Sequence, residues 1–163
     1  MESMTCNTNA YAALKTSEHL QGGGRKWKEV STPELSIWLG IVVHMGVHNS
    51  PAVRDYWRQD GLNPAHPISV HMGQTRFEEI KRYFHLSPPD RPKETPLGRR
   101  LWHSKVDEVL DQLRESSQRN RVPSSHIAVD ECMMRATGRS PDTYKMPSKP
   151  VERGFKFHCL ADL

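Results

Sequence analysis

Apolar positions recur at helical spacing through most of the chain, most clearly behind Ser31. Ser31, Pro33 and Glu34 supply an N-cap hydroxyl, a proline in the first turn and a glutamate suited to a capping box. The stripe that follows consists of Leu35, Ile37, Trp38, Leu39, Ile41, Val42, Val43 and Met45. A stripe this wide predicts a helix that is buried on most of its sides.

Weaker helical patterns lie on both sides of this segment. A short helix is predicted over residues 9–20, and the glycine run 22–24 marks a flexible break after it. Prolines and a glycine predict mostly loop over 49–73, with one short helix over 52–57.

Two amphipathic helices are predicted in the middle of the chain. Thr75 is a candidate N-cap for a helix over 76–85, whose apolar residues share one face. Four prolines predict an extended linker over 87–98. Apolar residues at helical spacing then predict a helix over 101–119.

The pattern changes to that of strands after Pro123. Residues 126–134 form a short apolar run, and residues 155–160 alternate aromatic with basic or polar side chains. The stretch between them, 138–150, has the composition of turns. Helices followed by a β-hairpin predict the α+β class.

Composition narrows the class of protein. The chain has 163 residues, 36% of them hydrophobic, and a net charge of +4, which is compatible with nucleic acid but only weak support for it. The three cysteines form no CxxC pair, which argues against a zinc finger or a thioredoxin-like site. An odd number of cysteines without a signal peptide favours a reducing intracellular compartment. No apolar run is long enough to cross a bilayer. We expect a soluble protein without a membrane partner.

Asp130 is the candidate for catalysis and for metal binding. An acidic side chain within an apolar strand is costly unless it is paired, protonated or bound to metal. Two-metal phosphoryl transfer uses carboxylates on strands, and it would need at least two more acidic ligands from elsewhere. The alternative is that Asp130 or Glu131 faces solvent at a strand edge or pairs with a nearby arginine.

The basic segment that follows Asp130 is a candidate DNA-binding surface. Its six cations face only two acids, Asp142 and Glu152, so its excess equals the net charge of the whole chain. The cations are Arg135, Arg139, Lys145, Lys149, Arg153 and Lys156. A positive loop beside a metal-binding aspartate could hold a phosphate backbone, and Tyr144 could stack there. The alternative is a solvated basic hairpin.

Histidines offer a second possible metal site. His44 and His48 are four residues apart, a spacing that can bind zinc on a helix, but no HExxH motif accompanies them. We interpret both as core or surface residues.

Several short motifs, taken together, resemble a known family. In the last third these are Val129-Asp130-Glu131, Gly138-Arg139, Tyr144-Lys145-Met146-Pro147, Lys149-Pro150 and Gly154-Phe155-Lys156. Upstream they are Thr8-Asn9, Glu34-Leu35, Leu39-Gly40-Ile41, Arg54-Asp55-Tyr56-Trp57, Arg76-Phe77 and Arg82-Tyr83-Phe84-His85-Leu86. In content and order they resemble the N-terminal part of piggyBac-type DDE transposases.

The resemblance implies an organisation along the chain. An N-terminal helix and glycine-rich break (1–24) would precede a helical DNA-binding and dimerisation region (25–123). The start of an RNase H-like catalytic core would follow (124–163). In that core three aspartates bind two Mg²⁺ ions, and only the first maps onto this sequence, at Asp130.

The resemblance also implies a function. We expect a truncated, nuclear, DNA transposition-related protein that is inactive alone because two metal ligands are missing. Its expected partners are DNA and either a second copy or a full-length transposase. One alternative is a non-catalytic DNA-binding or dimerisation module that modulates a full-length transposase. Another is a poorly folding remnant of a transposon.

Overall fold

The computed structural model describes residues 1–18, 26–60, 66–90, 94, 97–98, 103–138 and 140–162. Its helices and strands, in chain order, are α1 (Glu2–Glu18), α2 (Thr32–Val47), a 3₁₀ helix (Val53–Trp57), α3 (Ile68–His71), α4 (Gln74–Tyr83), α5 (Asp107–Asn120), β1 (Ile127–Arg135), β2 (Tyr144–Lys145) and β3 (Arg153–Asp162). The chain divides into a first unit, Met1–Val109, and a second unit, Leu110–Leu163. The predicted α+β class is confirmed.

Helix α2 begins as its sequence predicts. The Ser31 hydroxyl accepts a hydrogen bond from the backbone N–H of Glu34 at 3.3 Å, and Pro33 lies in the first turn. The Glu34 carboxylate binds the guanidinium of Arg76 at 2.7 and 2.8 Å. The cap is therefore confirmed, and the glutamate of the predicted box ties α2 to α4.

The core of the first unit forms where α2, the 3₁₀ helix, α3 and α4 meet. Trp38 lies at its centre, with its ring centroid 5.8 Å from that of Phe77 and 4.8 Å from that of Phe84. Its indole N–H donates to the carbonyl of Phe77 at 3.1 Å, so burial leaves this polar group satisfied. The buried cluster comprises Val30, Leu35, Trp38, Ile41, Tyr56, Ile68, Met72, Phe77 and Ile80.

Burial of α2 on most sides, as predicted, is wrong. Leu35, Trp38 and Ile41 are buried, whereas Val43 and Val47 are exposed. The neighbouring helices pack against only one side of α2, although apolar residues occur all around it.

Helix α1 is attached through polar side chains. The Asn9 side chain accepts from the N–H of Val30 and donates to its carbonyl, both at 2.9 Å. Asn7 donates to the carbonyl of Leu86 at 2.9 Å, and the buried Thr8 hydroxyl accepts from the N–H of His85 at 3.2 Å. The Thr8-Asn9 element therefore has a structural role. The helix begins at Glu2, seven residues before the predicted start. Tertiary hydrogen bonds, such as that from Asn7 to Leu86, hold this polar N-terminal part, and no local pattern shows them.

Three other predicted boundaries are corrected. The stretch 49–73, predicted to be mostly loop, contains the predicted short helix as the 3₁₀ helix Val53–Trp57 and, in addition, the four-residue α3. Helix α4 is capped by Gly73 without a side-chain hydrogen bond, so the predicted capping role of Thr75 is wrong. Helix α5 begins at Asp107, because residues 103–106 form turns.

Some predictions lie outside the described residues. These are residues 19 and 20 of the first predicted helix, the break at 22–24, residues 61–65 of the predicted loop, residues 91–93, 95 and 96 of the linker, Leu101, Trp102 and Arg139.

The second unit contains an antiparallel sheet with strand order β1-β3-β2. The two predicted strands pair over their whole length, from Ile127 opposite Asp162 to Arg135 opposite Gly154. The predicted hairpin is corrected to three strands, because Tyr144 and Lys145 add a short strand on the other side of β3. Two residues are too few to show an alternating pattern.

None of the described helices is both long enough and apolar enough to cross a membrane.

Candidate functional site

Asp130 lies near the middle of β1, directly opposite Cys159 on β3. Its side chain is 78% exposed, and its Oδ1 lies 3.8 Å from the ammonium of Lys149. The same oxygen accepts the backbone N–H of Glu131 at 2.7 Å. Asp130 was singled out in the sequence because burying a carboxylate is costly. Within the described residues its side chain is exposed, so that cost does not apply.

Glu131 points to the opposite face of the sheet, because successive side chains on a strand alternate. It lies opposite His158, whose Nε2 is 3.8 Å from its carboxylate, and it forms an ion pair with Lys156. The hydrogen bond from Lys156 lowers the pKa of Glu131. Asp130 and Glu131 therefore cannot chelate one ion through side chains on the same face.

The cations predicted to contact DNA fall into two groups. The ammonium groups of Lys149 and Lys156 lie beside Asp130 and Glu131, respectively. Arg135, Lys145 and Arg153 are exposed, and within the described part of the chain none of these three forms an ion pair. Arg139, the sixth cation, lies outside the described residues.

The three unpaired cations lie together at one end of the sheet. Arg135 and Tyr144 are both opposite Gly154, on the two sides of the central strand, and Lys145 is opposite Arg153. We call Arg135, Tyr144, Lys145 and Arg153 the sheet-end cluster. Since opposite residues share a face, the cluster presents an arginine and an aromatic ring on one face and two cations on the other.

Gly154 allows β1 and β3 to approach closely at this end of the sheet. A Cβ built at Gly154 would lie 1.9 Å from the carbonyl oxygen of Met134, which belongs to the backbone of β1. Only glycine fits at this position. The glycine of the Gly154-Phe155-Lys156 motif thus brings Arg135 and Tyr144 to either side of one backbone position.

The described residues do not complete the Mg²⁺ site that the resemblance implies. Among them, no group of three His, Cys, Asp or Glu side chains is placed to hold a metal ion. Asp162 is a carboxylate on β3, but Arg121 binds it at 2.6 Å and Ser124 donates to it through its backbone N–H at 3.1 Å. Asp130 is thus a candidate for one ligand and not a site by itself.

The Arg121–Asp162 contact is not predicted by the sequence. Hydrogen bonds, first from Ser124 and then from Arg121, lower the pKa of Asp162 and hold the end of β3 against the segment before β1. The partners are far apart in sequence, and no local spacing pattern connects them.

The rings of His44 and His48 are tilted by 34° with their centroids 4.5 Å apart, and the ring of His66 lies edge-on to His44 at 5.2 Å. Burial, followed by the neighbouring imidazoles, lowers the pKa of His44. The rings therefore pack against one another at the end of α2.

Comparison with known proteins identifies the protein family. The family model described as Transposase IS4 matches residues 1–163, so the chain belongs to that family. Within it the similarity is to piggyBac-type proteins, as the motifs predicted.

Two human relatives and one solved structure show this similarity. PiggyBac transposable element-derived protein 5 of Homo sapiens is 29% identical over 131 residues, which are 80% of this chain and 24% of that protein. PiggyBac transposable element-derived protein 3 of Homo sapiens is 26% identical over 132 residues, 81% of this chain and 21% of that protein. A piggyBac transposase in a synaptic complex with hairpin DNA matches 99% of this chain and 33% of its own, with 24% identity and a TM-score of 0.76. This chain thus spans about a quarter or less of the length of these curated relatives.

Proposed function

We propose that this chain contacts DNA through the sheet-end cluster, as part of a transposition-related activity of the piggyBac type. The observation that carries this proposal is that some cations of the basic segment lie beside carboxylates, whereas others have no such partner. Lys149 and Lys156 lie beside carboxylates, whereas Arg135, Lys145 and Arg153 remain exposed at one end of the sheet. Phosphate oxygens accept hydrogen bonds from arginine and lysine, and an exposed tyrosine can stack on a base.

The structural relative gives further support, because the solved piggyBac transposase is a complex with hairpin DNA. The family assignment makes nucleic acid the first ligand to test on a basic surface. Nuclear localisation remains a prediction from the resemblance.

The test is a salt titration of DNA binding by the full chain. Each phosphate contact that is lost reduces the slope of log K against log salt by about 1. Replacing Arg135, Lys145 and Arg153 by alanine should therefore lower the slope by up to about 3.

A matched control removes three exposed cations of the first unit, Lys28, Lys81 and Arg82. It should leave the slope nearly unchanged. No binding by the wild-type chain at low salt, or equal losses in both triple variants, would contradict the proposal.

We further propose that Asp130 supplies one metal-binding carboxylate and that the chain does not cut or join DNA by itself. Transposases of the DDE class generally use divalent metal ions. Such chemistry needs several carboxylates around the ions, and among the described residues Asp130 belongs to no group of three His, Cys, Asp or Glu side chains that could hold a metal ion. Cleavage or joining of transposon-end DNA by the purified chain with Mg²⁺ would disprove this part.

A further inference from the structure

Gly154 leaves an open slot on one face of the sheet end. Arg135 on β1 and Tyr144 on β2 lie opposite Gly154 on the two sides of β3, so their side chains share a face. Glycine has no side chain to occupy the space between them. Both flanking residues are exposed, and among the described residues the guanidinium of Arg135 lies over no aromatic ring. The slot therefore has a planar group on each side and only backbone at its floor.

The spacing of the strands fixes the width of this slot. Neighbouring strands lie about 4.8 Å apart, so the Cα atoms of Arg135 and Tyr144 are separated by roughly 9.6 Å. A nucleobase stacked on both of its faces needs about 7 Å between the two flanking planes, because stacked bases repeat every ~3.4 Å. The long side chain of Arg135 can close the remaining gap. The slot thus has the width for one planar ring system.

Met133 and Lys156 lie at the inner end of the slot. They are opposite each other, two positions further along β1 and β3, and therefore on the same face. The ammonium of Lys156 is held by the carboxylate of Glu131. Met133 supplies a polarisable thioether, which makes favourable contacts with aromatic rings. A base in the slot would meet this thioether and an ammonium group whose charge is already compensated.

We propose that the slot holds one unpaired nucleobase between the guanidinium of Arg135 and the ring of Tyr144. The sheet-end cluster then prefers DNA with an unpaired nucleotide to a continuous duplex. In a duplex the faces of each base are covered by its neighbours, whereas an unpaired base can leave the stack. Arginine and aromatic side chains both stack on bases with little regard to sequence. Lys145 and Arg153, on the other face, remain for the flanking phosphates.

This inference rests on the proposed function, since it names the kind of DNA that the sheet-end cluster binds. It gives a role to Tyr144, which carries no charge, and to the planar shape of Arg135. Contact with a phosphate needs neither property, because a lysine binds phosphate as a point charge. Stacking on a base and contact with phosphate therefore respond differently to substitutions that keep charge and remove planarity.

Fluorescence anisotropy of two labelled DNA probes tests the inference on the full chain. One probe is a continuous duplex, and the other is the same duplex with one extra, unpaired adenine in its middle. We expect the wild type to bind the second about tenfold more tightly, because only its unpaired base can stack in the slot.

Substitutions of Tyr144 test the aromatic wall. Tyr144→Ala should abolish the preference for the unpaired base, whereas Tyr144→Phe should keep it, because stacking needs only the ring. Phe157→Ala is the matched control, since Phe157 is an aromatic residue on the other face of the same sheet. It should keep the preference.

Arg135→Lys separates stacking from charge. It keeps the positive charge, so the salt dependence of binding should not change. It removes the planar guanidinium, so the preference for the unpaired base should fall by about threefold or more. Arg153→Lys is the control, because Arg153 lies at the same end of the sheet on the other face. It should keep the preference.

Failure of this inference can be told apart from failure of the proposed function. Equal affinity of the wild type for both probes would overturn the inference, while binding that still depends on the cations of the cluster would uphold the proposed function. A preference that survives in Tyr144→Ala, or equal losses in Arg135→Lys and Arg153→Lys, would also overturn the inference. Binding of neither probe would contradict the proposed function itself, and this inference with it.

Discussion

In the first unit Leu35 and Ile80 are completely buried, whereas in the second unit Val129 and Leu160, opposite each other on β1 and β3, are 72% and 61% exposed. No apolar side chain among the described residues of the second unit is buried. The first unit is held by a packed core, and the sheet mainly by backbone hydrogen bonds and ion pairs. Stability and surface chemistry therefore reside in different parts of the chain.

Individual arginines of the two units also differ in their surroundings. In the first unit Arg76 is largely buried between the carboxylate of Glu34 and the ring of Trp27, whose centroid lies 5.0 Å from the guanidinium. The hydrogen bond from Arg76 lowers the pKa of Glu34. In the second unit Arg135 and Arg153 remain exposed. A cation held inside the fold stabilises it, whereas an exposed one is available to a ligand.

The largest expected difference between the units comes from shortening an apolar side chain in each. Leu35→Ala should lower the free energy of unfolding by about 2–5 kcal/mol, because it leaves a cavity in a closed core. Val129→Ala should change it by no more than about 0.5 kcal/mol, because that side chain is already exposed. Urea unfolding followed by tryptophan fluorescence measures the first unit, which holds all four tryptophans, and amide hydrogen exchange of β1 and β3 measures the second. Similar losses would show that the second unit has a core comparable to that of the first.

A second test concerns backbone approach in the sheet. Gly154→Ala should weaken the pairing of β1 and β3 by about 1–3 kcal/mol, because its Cβ would overlap the carbonyl of Met134. Gly138→Ala is the control, since a Cβ there meets nothing within 4 Å. Amide hydrogen exchange across β1 and β3 reports the difference. Unchanged protection in Gly154→Ala would show that the strands can separate at this end without cost.

The smallest expected difference between the units is in how their stability depends on pH, because different groups titrate in each unit. Burial lowers the pKa of His44 and of His85 in the first unit. Such groups stabilise the fold fully above their unfolded pKa of about 6.5, and this contribution is lost as pH falls through the lowered folded values. In the second unit the lowered pKa values belong to Glu131 and Asp162, whose contributions persist until about pH 4.

Acidification from pH 7.5 to 5.5 should therefore reduce amide protection in the first unit and spare the sheet. His44→Gln should reduce this pH dependence, while His126→Gln, an exposed histidine of the second unit, should not. Protection of the sheet that falls together with that of the first unit would contradict the assignment.

Features of the chain that depend on neighbouring residues could be predicted. The Ser31 cap and the strands β1 and β3 follow from spacing over a few positions, and the structure confirms them. The hydrogen bonds between Asn9 and Val30 could not be predicted, because the residues around a helical asparagine do not indicate which distant backbone group it will bind. The ion pairs of Lys149 and Lys156 were also not predicted. Both lysines were interpreted as DNA-binding residues, and their pairing with the carboxylates of β1 was not considered.

The sequence by itself determined the α+β class, the family motifs and the candidacy of Asp130, because these depend on residue type and local order. Only the tertiary structure decided which side of α2 is covered, which cations are paired, and that Asp130 and Glu131 face opposite sides of the sheet. The physical reason is that exposure and ion pairing are set by segments distant in sequence that pack or pair against a residue.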